Sequence, residues 1–534
     1  MTISSASVTA VLMFCSLPVG IAASDTLQIA VVGPMSGKDR EGGQAMLDGV
    51  NLYVEEVNKS GGINGRTLKV IVYDDQNDKV TARNKALEIA KDSKALVVIG
   101  HLYSSISLEG GKVYKEYGIP TITASATAPE VTEGNDWYFR VVPDTNLQGK
   151  FSALYIKNIL EQEAVYIVFD QDAYGTTLQR SFEQAALDSG LHIKNIWSVD
   201  SEINDLNRIF DKITQELRLD PNPGALFVAL QDHAAARLVR SMRDAGIDLA
   251  IMGGDAIGSE SFQRQFVNLP SETISPGHYT DGIYAATFFI SDISNRKARQ
   301  FSKAFKRRFG KEPDDMAATH YDAAAIAVEA IRTAKIEIDV AQSRKNIRKR
   351  LSRFRYIETA YKGITGRIFF DMHGNVVKPF PIGVYAHGRL ISAPTQLGPI
   401  VNMDSIVDLR KELEEGNIIP MDDRFLYRTM AVYTGIDINE ISNINPRNET
   451  FTADFYLWFR HQRHFDYSKI EFLNAVEDLR LGDEPIMEMT GQNIAYRAYR
   501  IKGDFKEAFN FRNYPFDSQT LSIRFRHKKF NSER

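Results

Sequence analysis

Hydroxyl, carboxylate and aromatic side chains stand just past several short apolar runs of this sequence, where a strand would give way to a loop or helix. Ser104 and Ser105, preceded by Tyr103, follow the run 97–100, where hydroxyls and free backbone N–H groups can meet a carboxylate. Ser125-Ala126-Thr127 follows a second run, 119–123, and offers donors and a carbonyl acceptor to the same spot. Asp255 follows a third run and the flexible pair Gly253-Gly254, which suits a carboxylate facing an ammonium group. Tyr174-Gly175 precedes a helical stretch. The ordinary alternative for each Ser and Thr is a helix N-cap or a turn.

Other reactive types give less. Asp74-Asp75 ends a strand and fits a turn or cap better than a metal site, and His101 stands alone at a strand end. There is no Gly-x-Ser-x-Gly elbow, no His-Glu-x-x-His, no phosphate-binding loop and no Cys/His cluster. Neither an enzyme nor a cofactor or metal is expected.

The elements that must position these residues alternate. Runs 27–32, 68–73, 95–99, 165–169, 225–230 and 251–253 are short and aliphatic, as buried parallel strands are. Amphipathic stretches 43–60, 79–91, 176–189 and 232–245 lie between them as helices. This alternation predicts α/β architecture with doubly wound parallel sheets in two lobes, leaving a cleft at the carboxyl ends of the strands. Around 393–420 the pattern breaks: Pro394, Gly398-Pro399 and Pro420 bracket a charged helix, 404–415, so 393–424 reads as a linker. From about 425 the period becomes two; 450–460, 492–500 and 520–526 alternate apolar and polar residues, and 431–441 forms a hairpin with 450–460 across the polar turn 443–449.

At 534 residues the chain needs two or more cores, and a net charge of −4 gives no reason to expect a nucleic-acid partner. The basic run 344–355 carries Ile347, Leu351 and Phe354 at helical spacing, which predicts a solvated helix with one packed face. At the N-terminus a short apolar core, 8–14, is broken by Pro18 and Gly20 and followed by Ala22-Ala23-Ser24, a signal peptide over 1–23. The lone Cys15 would leave with it, so no disulfide is expected. After residue 23 no apolar run approaches the roughly 18–20 residues that span a bilayer. The mature chain is expected to be soluble and periplasmic or extracellular.

Two resemblances sharpen these expectations. Ser60-Gly61-Gly62-Ile63-Asn64-Gly65-Arg66, Tyr73-Asp74-Asp75-Gln76, Ile99-Gly100-His101-Leu102-Tyr103-Ser104-Ser105, Gly118-Ile119-Pro120 and Ser125-Ala126-Thr127-Ala128-Pro129-Glu130 stand in fixed order. Through them residues 26–392 resemble the periplasmic branched-chain amino-acid binding proteins, the type I solute-binding fold. The resemblance implies that Ser104, Ala126 (through its backbone), Thr127, Tyr174 and Asp255 hold the α-amino and α-carboxyl groups of a small amino-acid-like ligand. Tyr103, Ser105, Ser125 and Gln231 join them as candidate ligand-binding residues. Two apolar walls of the family are replaced, an aromatic residue by Gly42 and a tyrosine by Gln231, which predicts a side chain larger or more polar than leucine. An amide or small carboxylate is the alternative ligand.

The stretches 451–460, 499–505 and 511–527 resemble the extracellular domain of the pentameric ligand-gated ion channels, in its prokaryotic form without loop cysteines. Tyr514-Pro515-Phe516-Asp517 matches the signal-coupling loop, which together with the turn 445–449 would face a membrane pore. The resemblance implies a homo-pentamer and a channel membrane domain as partner. It covers only the first half of that sandwich, so 425–534 is expected to be a partial β domain, either truncated or completed by a partner. The leading expectation is a ligand-sensing module coupled to this channel-type domain. The alternative is the substrate-binding protein of an ABC amino-acid importer, with the permease as partner and the tail as an accessory.

Overall fold

Short aliphatic runs that are buried on both faces can only sit in the middle of a layered sheet. Leu27–Gly33 (β1), Leu68–Asp74 (β2), Ala95–Gly100 (β3), Thr121–Thr123 (β4) and Tyr138–Arg140 (β5) pair in parallel in the order β2-β1-β3-β4-β5, and β3 is buried at every position. Arg40–Lys59 (α1), Lys79–Asp92 (α2) and Ser104–Tyr117 (α3) make the crossovers of this first lobe. The computed structural model describes residues 26–528 apart from 93, 202–204, 401–402, 423, 463–464, 483, 492–493 and 513. The expected signal peptide, Cys15 and Gln492 lie outside the described residues.

Thr145–Asn158 (α4), capped by Asp144, opens the second lobe. There Ala164–Asp170 (β6), His192–Val199 (β7), Ala225–Ala229 (β8), Ala250–Gly253 (β9) and Tyr284–Ala286 (β10) pair in parallel in the order β7-β6-β8-β9-β10. This is the connectivity of the first lobe repeated: first strand central, second at the edge, then third, fourth and fifth outward on the other side. Ala173–Asp188 (α5), Leu206–Leu219 (α6), Asp232–Asp244 (α7), Glu260–Arg264 (α8) and Pro270–Ile274 (α9) belong to it. The strand β7 escapes a periodicity reading because it is a sheet edge with most positions partly or fully exposed.

Arg296–Phe309 (α10), Asp315–Thr333 (α11) and Val340–Leu351 (α12) return to the first lobe. α11 buries Ala323, Ala324, Ala327 and Ile331 in the same core as Ile29 and Val31. It approaches α1 so closely that a Cβ at Gly49 would collide with the Ala317 carbonyl. The basic helix α12 behaves as its spacing predicts, with Ile347 and Leu351 buried. Its Arg344 is buried too, donating from Nε to the Ala95 carbonyl at 2.9 Å. A small hairpin, Tyr361–Lys362 (β11) and Arg367–Ile368 (β12), precedes the return to lobe two, whose sheet is extended by antiparallel Ile382–Ala386 (β13) and Arg389–Ser392 (β14).

Residues 393–424, expected as a linker, hold a shorter helix than predicted, Leu409–Glu414 (α13), and also strands. Thr395–Pro399 (β15), Ile418–Met421 (β16) and Arg424–Met430 (β17) form an antiparallel sheet ordered β15-β17-β16. Its apolar face, Leu397, Ile419, Met421 and Leu426, shares one core with Phe151 and Tyr155 of α4. The Tyr155 hydroxyl donates to the Thr395 carbonyl at 2.9 Å. Burial of these apolar side chains outweighs the loop character of the flanking prolines.

The remaining chain is β. Tyr433–Asn445 (β18), Thr450–His461 (β19), Ile470–Phe472 (β20), Met487–Thr490 (β21), Ala495–Lys506 (β22) and Phe525–His527 (β23) make one antiparallel sheet ordered β18-β19-β22-β21 and a small β20-β23 pair. The expected hairpin is β18–β19. Along β19 the residues Phe451, Ala453, Phe455, Leu457 and Phe459 are buried in a core with Ile501 and Phe505, while Tyr456 and Trp458 on the other face are half-buried. Of the expected strand 520–526 only 525–526 fall in one, the start of β23. In the loop at 514–517, Tyr514 and Phe516 are 75% and 94% exposed.

If β15–β17 is part of the lobe-two core, Leu397→Ala, at a site 3% exposed, should destabilise the protein by about 3 kcal/mol in urea denaturation. An effect under about 0.5 kcal/mol, the range of surface substitutions, would return this segment to the status of a linker.

Candidate functional site

In open α/β sheets the crevice forms where neighbouring crossovers leave in opposite directions, between the first and third strands of a five-stranded order such as this. Both lobes have that point, and one cavity of about 650 Å³ lies against both. Lobe one contributes the loops after β1 (Gly37 to Gln44), β3 (Leu102 to Ser104) and β4 (Ser125, Thr127). Lobe two contributes Tyr174 after β6, Gln231 to His233 after β8, and Asp255 after β9.

Ser104 is the first residue of α3, and its Oγ accepts the N–H groups of Thr127 (3.1 Å) and Ala128 (3.0 Å), tying two loops together. Tyr103 precedes α3 without a side-chain cap, so the positive helix end faces the cavity uncapped by any side chain. Thr127 is 1% exposed, and its Oγ1 has no hydrogen-bond partner. Ser125 lines the cavity while donating to the Leu102 carbonyl at 2.8 Å. A buried hydroxyl without a partner at an uncapped helix start is a place for an anion.

Across the cleft Asp255 is 5% exposed, and its Oδ1 also has no partner. Its N–H donates to Gln148 Oε1 at 3.1 Å. Burial, only partly offset by Gln148 and Tyr174, pushes the Asp255 carboxyl up to about 6. Tyr174 lies beside it, accepting from the Ala256 N–H at 3.4 Å. A buried carboxylate with an unused oxygen lacks a cation. Gly175, next in sequence, lets α5 start against the sheet: a Cβ there would strike the Asp170 and Ala229 carbonyls.

Two candidate residues are not brought to the cavity. Ser105 lies one position further along α3, half-buried and outside the wall. Ala126 is turned inward: its N–H meets Thr123 Oγ1 at 2.9 Å, and its carbonyl accepts from Arg140 Nη1 at 3.3 Å, so its backbone is spent within the lobe. Tyr103 and Gln231 do line the cavity, but each is held by a carboxylate. The Tyr103 hydroxyl donates to Asp39 at 3.1 Å, and Gln231 Nε2 to Asp172 at 2.7 Å. Gly42 also lines it, and part of the room left there is filled by Leu102, whose methyl would lie 2.9 Å from a Cβ at that position.

His101 and Asp75 are structural. His101 is fully buried between Asp75 (2.6 Å) and the Tyr114 hydroxyl (3.1 Å), and Asp74 and Asp75 accept turn N–H groups from Gln76 and Asn77. Sequence reading missed Asp39, Asp172, Asp232 and His233, which also stand at or beside this cleft. Asp39 lies in the charged turn Lys38-Asp39-Arg40-Glu41, which reads as solvated; its place directly after the first strand, on the switch point, was the available signal. Two ion pairs bridge the lobes, His233 to Asp39 at 3.6 Å and Arg264 to Glu41 at 3.1 Å.

Two lobes of repeated topology, hinged by crossing segments and facing a shared cavity with unpartnered polar groups on both walls, define a cleft-type solute receptor. A profile described as periplasmic binding protein matches residues 26–385, more than half of the chain, and the chain belongs to that family. It is 28% identical over 240 residues to the leucine-, isoleucine-, valine-, threonine-, and alanine-binding protein of Pseudomonas aeruginosa, covering 44% of this chain and 62% of that one. It is 27% identical over 245 residues to the Leu/Ile/Val-binding protein of Escherichia coli, covering 46% and 65%. The matches thus span somewhat under two thirds of those relatives, which are named as binding proteins rather than enzymes. Among solved structures, the branched-chain amino acid transporter substrate binding protein of Streptococcus pneumoniae with isoleucine superimposes with a TM-score of 0.60 at 24% identity, covering 68% of this chain and 97% of that one. A leucine binding protein of Thermotoga maritima gives 0.60 at 22%, covering 71% and 100%. At such identities the superposition carries the fold alone.

The sign of the Asp255 effect on stability follows from its direction. The carboxyl is neutral in both states below about 4; between about 4 and 6 the unfolded chain ionises first, so stability falls as pH rises and the cost is complete above 6. Asp255→Asn should therefore raise the stability of the ligand-free protein by roughly 3 kcal/mol at pH 7.5 and by little at pH 4, in urea denaturation at both pH values. An equal change at the two pH values would remove the buried, ionisation-averse carboxylate.

Proposed function

We propose that this chain binds a small zwitterionic amino acid in its interlobe cleft and closes on it by hinge motion, as the substrate-binding protein of an ABC importer in the periplasm. The observation that carries this reading is the pair of buried, unpartnered groups on opposite walls, Thr127 Oγ1 and Asp255 Oδ1. The ligand's carboxylate meets Thr127, Ser104 and the start of α3, and its ammonium group meets Asp255 with Tyr174 alongside. An ammonium ion supplies the charge that the Asp255 site lacks, so binding favours the ionised carboxylate. The names of the relatives support an amino-acid ligand, and Gly42 and Gln231 favour a side chain larger or more polar than leucine. Among the described residues no helix is long and apolar enough to cross a membrane.

Coupling to a ligand-gated-channel-type domain is a second reading. What favours it is the antiparallel sheet β18-β19-β22-β21 with the exposed aromatic loop at 514–517. The relatives favour delivery instead.

Isothermal titration against the twenty amino acids and benzoate checks the binding reading. One or more amino acids should bind, with Thr127→Val and Asp255→Asn each weakening affinity at least tenfold, and affinity should fall below pH 6 as Asp255 protonates. Binding of benzoate but of no amino acid would overturn it. A chain ending at Met430 should keep both affinity and uptake; lost uptake with intact affinity would favour the channel-type reading.

A further inference from the structure

Besides Thr127 and Asp255 the cleft carries polar groups for which the α-amino and α-carboxyl groups of a ligand have no use. Asp39 ahead of α1, Asp172 ahead of α5 and Asp232 at the start of α7 come from both lobes. Asp39 and Asp232 line the cavity; Asp39 accepts the Tyr103 hydroxyl at 3.1 Å, and Asp172, just outside the wall, accepts from the wall residue Gln231 at 2.7 Å. Asp39 and Asp232 are 7% and 6% exposed. Burial alone would raise Asp39, but His233, Asn77, Lys38 and Tyr103 outweigh it and hold the carboxyl below its ordinary value, ionised at neutral pH.

His233 faces Asp39 from within the cleft at 3.6 Å, and that carboxylate is the chief cause drawing its imidazole pKa upward. The other basic groups of the wall stand at its mouth. Lys38 and Arg40 are exposed, and the side chains of Arg264 and Lys311 are 40% and 38% exposed and paired with Glu41 and Asp48. Screened rim charges offset little, whereas carboxylates removed from water act through a lower dielectric. The inner wall at Asp39 and Asp232 is therefore negative, while burial pushes the Asp172 carboxyl up.

Each carboxylate has a local task as well; Asp172, for example, caps α5 through the Gly175 N–H at 2.6 Å. Capping explains why an acid stands at one helix start, not why three from two lobes meet at one cleft. An independent observation marks that cleft as a ligand site: Thr127 and Asp255, both more than nine-tenths buried, aim unpartnered oxygens into the same cavity. Leu102 and Gly42, packed against each other, also line the cavity and offer apolar surface to methylene groups.

We propose that the wall carboxylates Asp39 and Asp232 receive the cationic tip of the ligand's side chain, so that the ligand class is the basic amino acids, with a terminal guanidinium or ammonium group. The inference rests on the amino-acid reading above. The zwitterion is anchored at Thr127 and Asp255, the methylenes pass Leu102, and the tip lies at Asp39 and Asp232. Closure brings Asp39 of one lobe and Asp232 of the other onto one cation, so the side chain itself helps hold the lobes together.

Titration of the full chain with arginine, lysine, glutamine, leucine and glutamate tests this. Arginine or lysine should bind at least tenfold tighter than glutamine or leucine, with glutamate weakest. Asp232→Asn and, separately, Asp39→Asn should lower the ratio of arginine or lysine affinity to leucine affinity at least tenfold. Leucine or glutamine binding as tightly as arginine and lysine would overturn this inference and leave the amino-acid reading standing. Failure of every amino acid to bind would overturn that reading itself.

Discussion

A parallel strand pair joined through a helix has one handedness, and from that constraint the placement of the cleft follows. Right-handed crossovers carry every strand-to-helix loop to the carboxyl edge of its sheet, and a 2-1-3-4-5 order opens a crevice where the direction of winding reverses. This chain builds that order twice, around β1 and again around β6. Residues more than a hundred positions apart, such as Ser104 and Asp255, thereby meet across one cavity. The same constraint explains why polar residues are tolerated there at all. Loop backbone at the sheet edge leaves N–H groups unspent, and helix starts add a positive field.

Electrostatics then separates the walls. Both walls of the cavity hold carboxylates taken out of water, a costly arrangement unless a cation answers them. At Asp255 the cost shows as a carboxyl resisting ionisation. At Asp39 it is offset by hydrogen bonds and by His233 from the facing lobe. One wall is thus incomplete without a ligand and the other is partly completed by closure, so ligand and lobe movement act on the same charges. A receptor that must release its ligand profits from that division, because neither wall is fully satisfied in both states.

Much of this was legible in the residues. Doubly buried aliphatic runs such as 95–99 fixed the parallel strands, and hydroxyls following them located Ser104 and Thr127. What was hidden had physical causes. Strand β7 lies at an edge and carries the composition of a surface. Ala126 sits in a cavity loop and Ser105 in the first turn of α3, but backbone direction turns one toward Arg140 and carries the other past the wall. Asp39 and His233 matter only because two lobes face each other, and no local pattern encodes a partner wall. At Gly42 a missing side chain implied open space, yet Leu102 moved into part of it, as close packing requires.

The segment 395–430 shows the same limit from the other side. Its prolines and charged helix read as a tether, whereas its alternate residues Leu397, Ile419 and Leu426 complete the lobe-two core against α4. The helix α4 thus touches both places: Gln148 at its start holds the Asp255 N–H, and Tyr155 two turns later holds the Thr395 carbonyl. Tyr433, at the head of β18, is hydrogen-bonded to the Ser392 side chain at the edge of the lobe-two sheet. The sheet thus starts against the edge of lobe two. Packed cores shift as bodies and deform little, so in the hinge closure proposed above this contact would keep the head of β18 with lobe two.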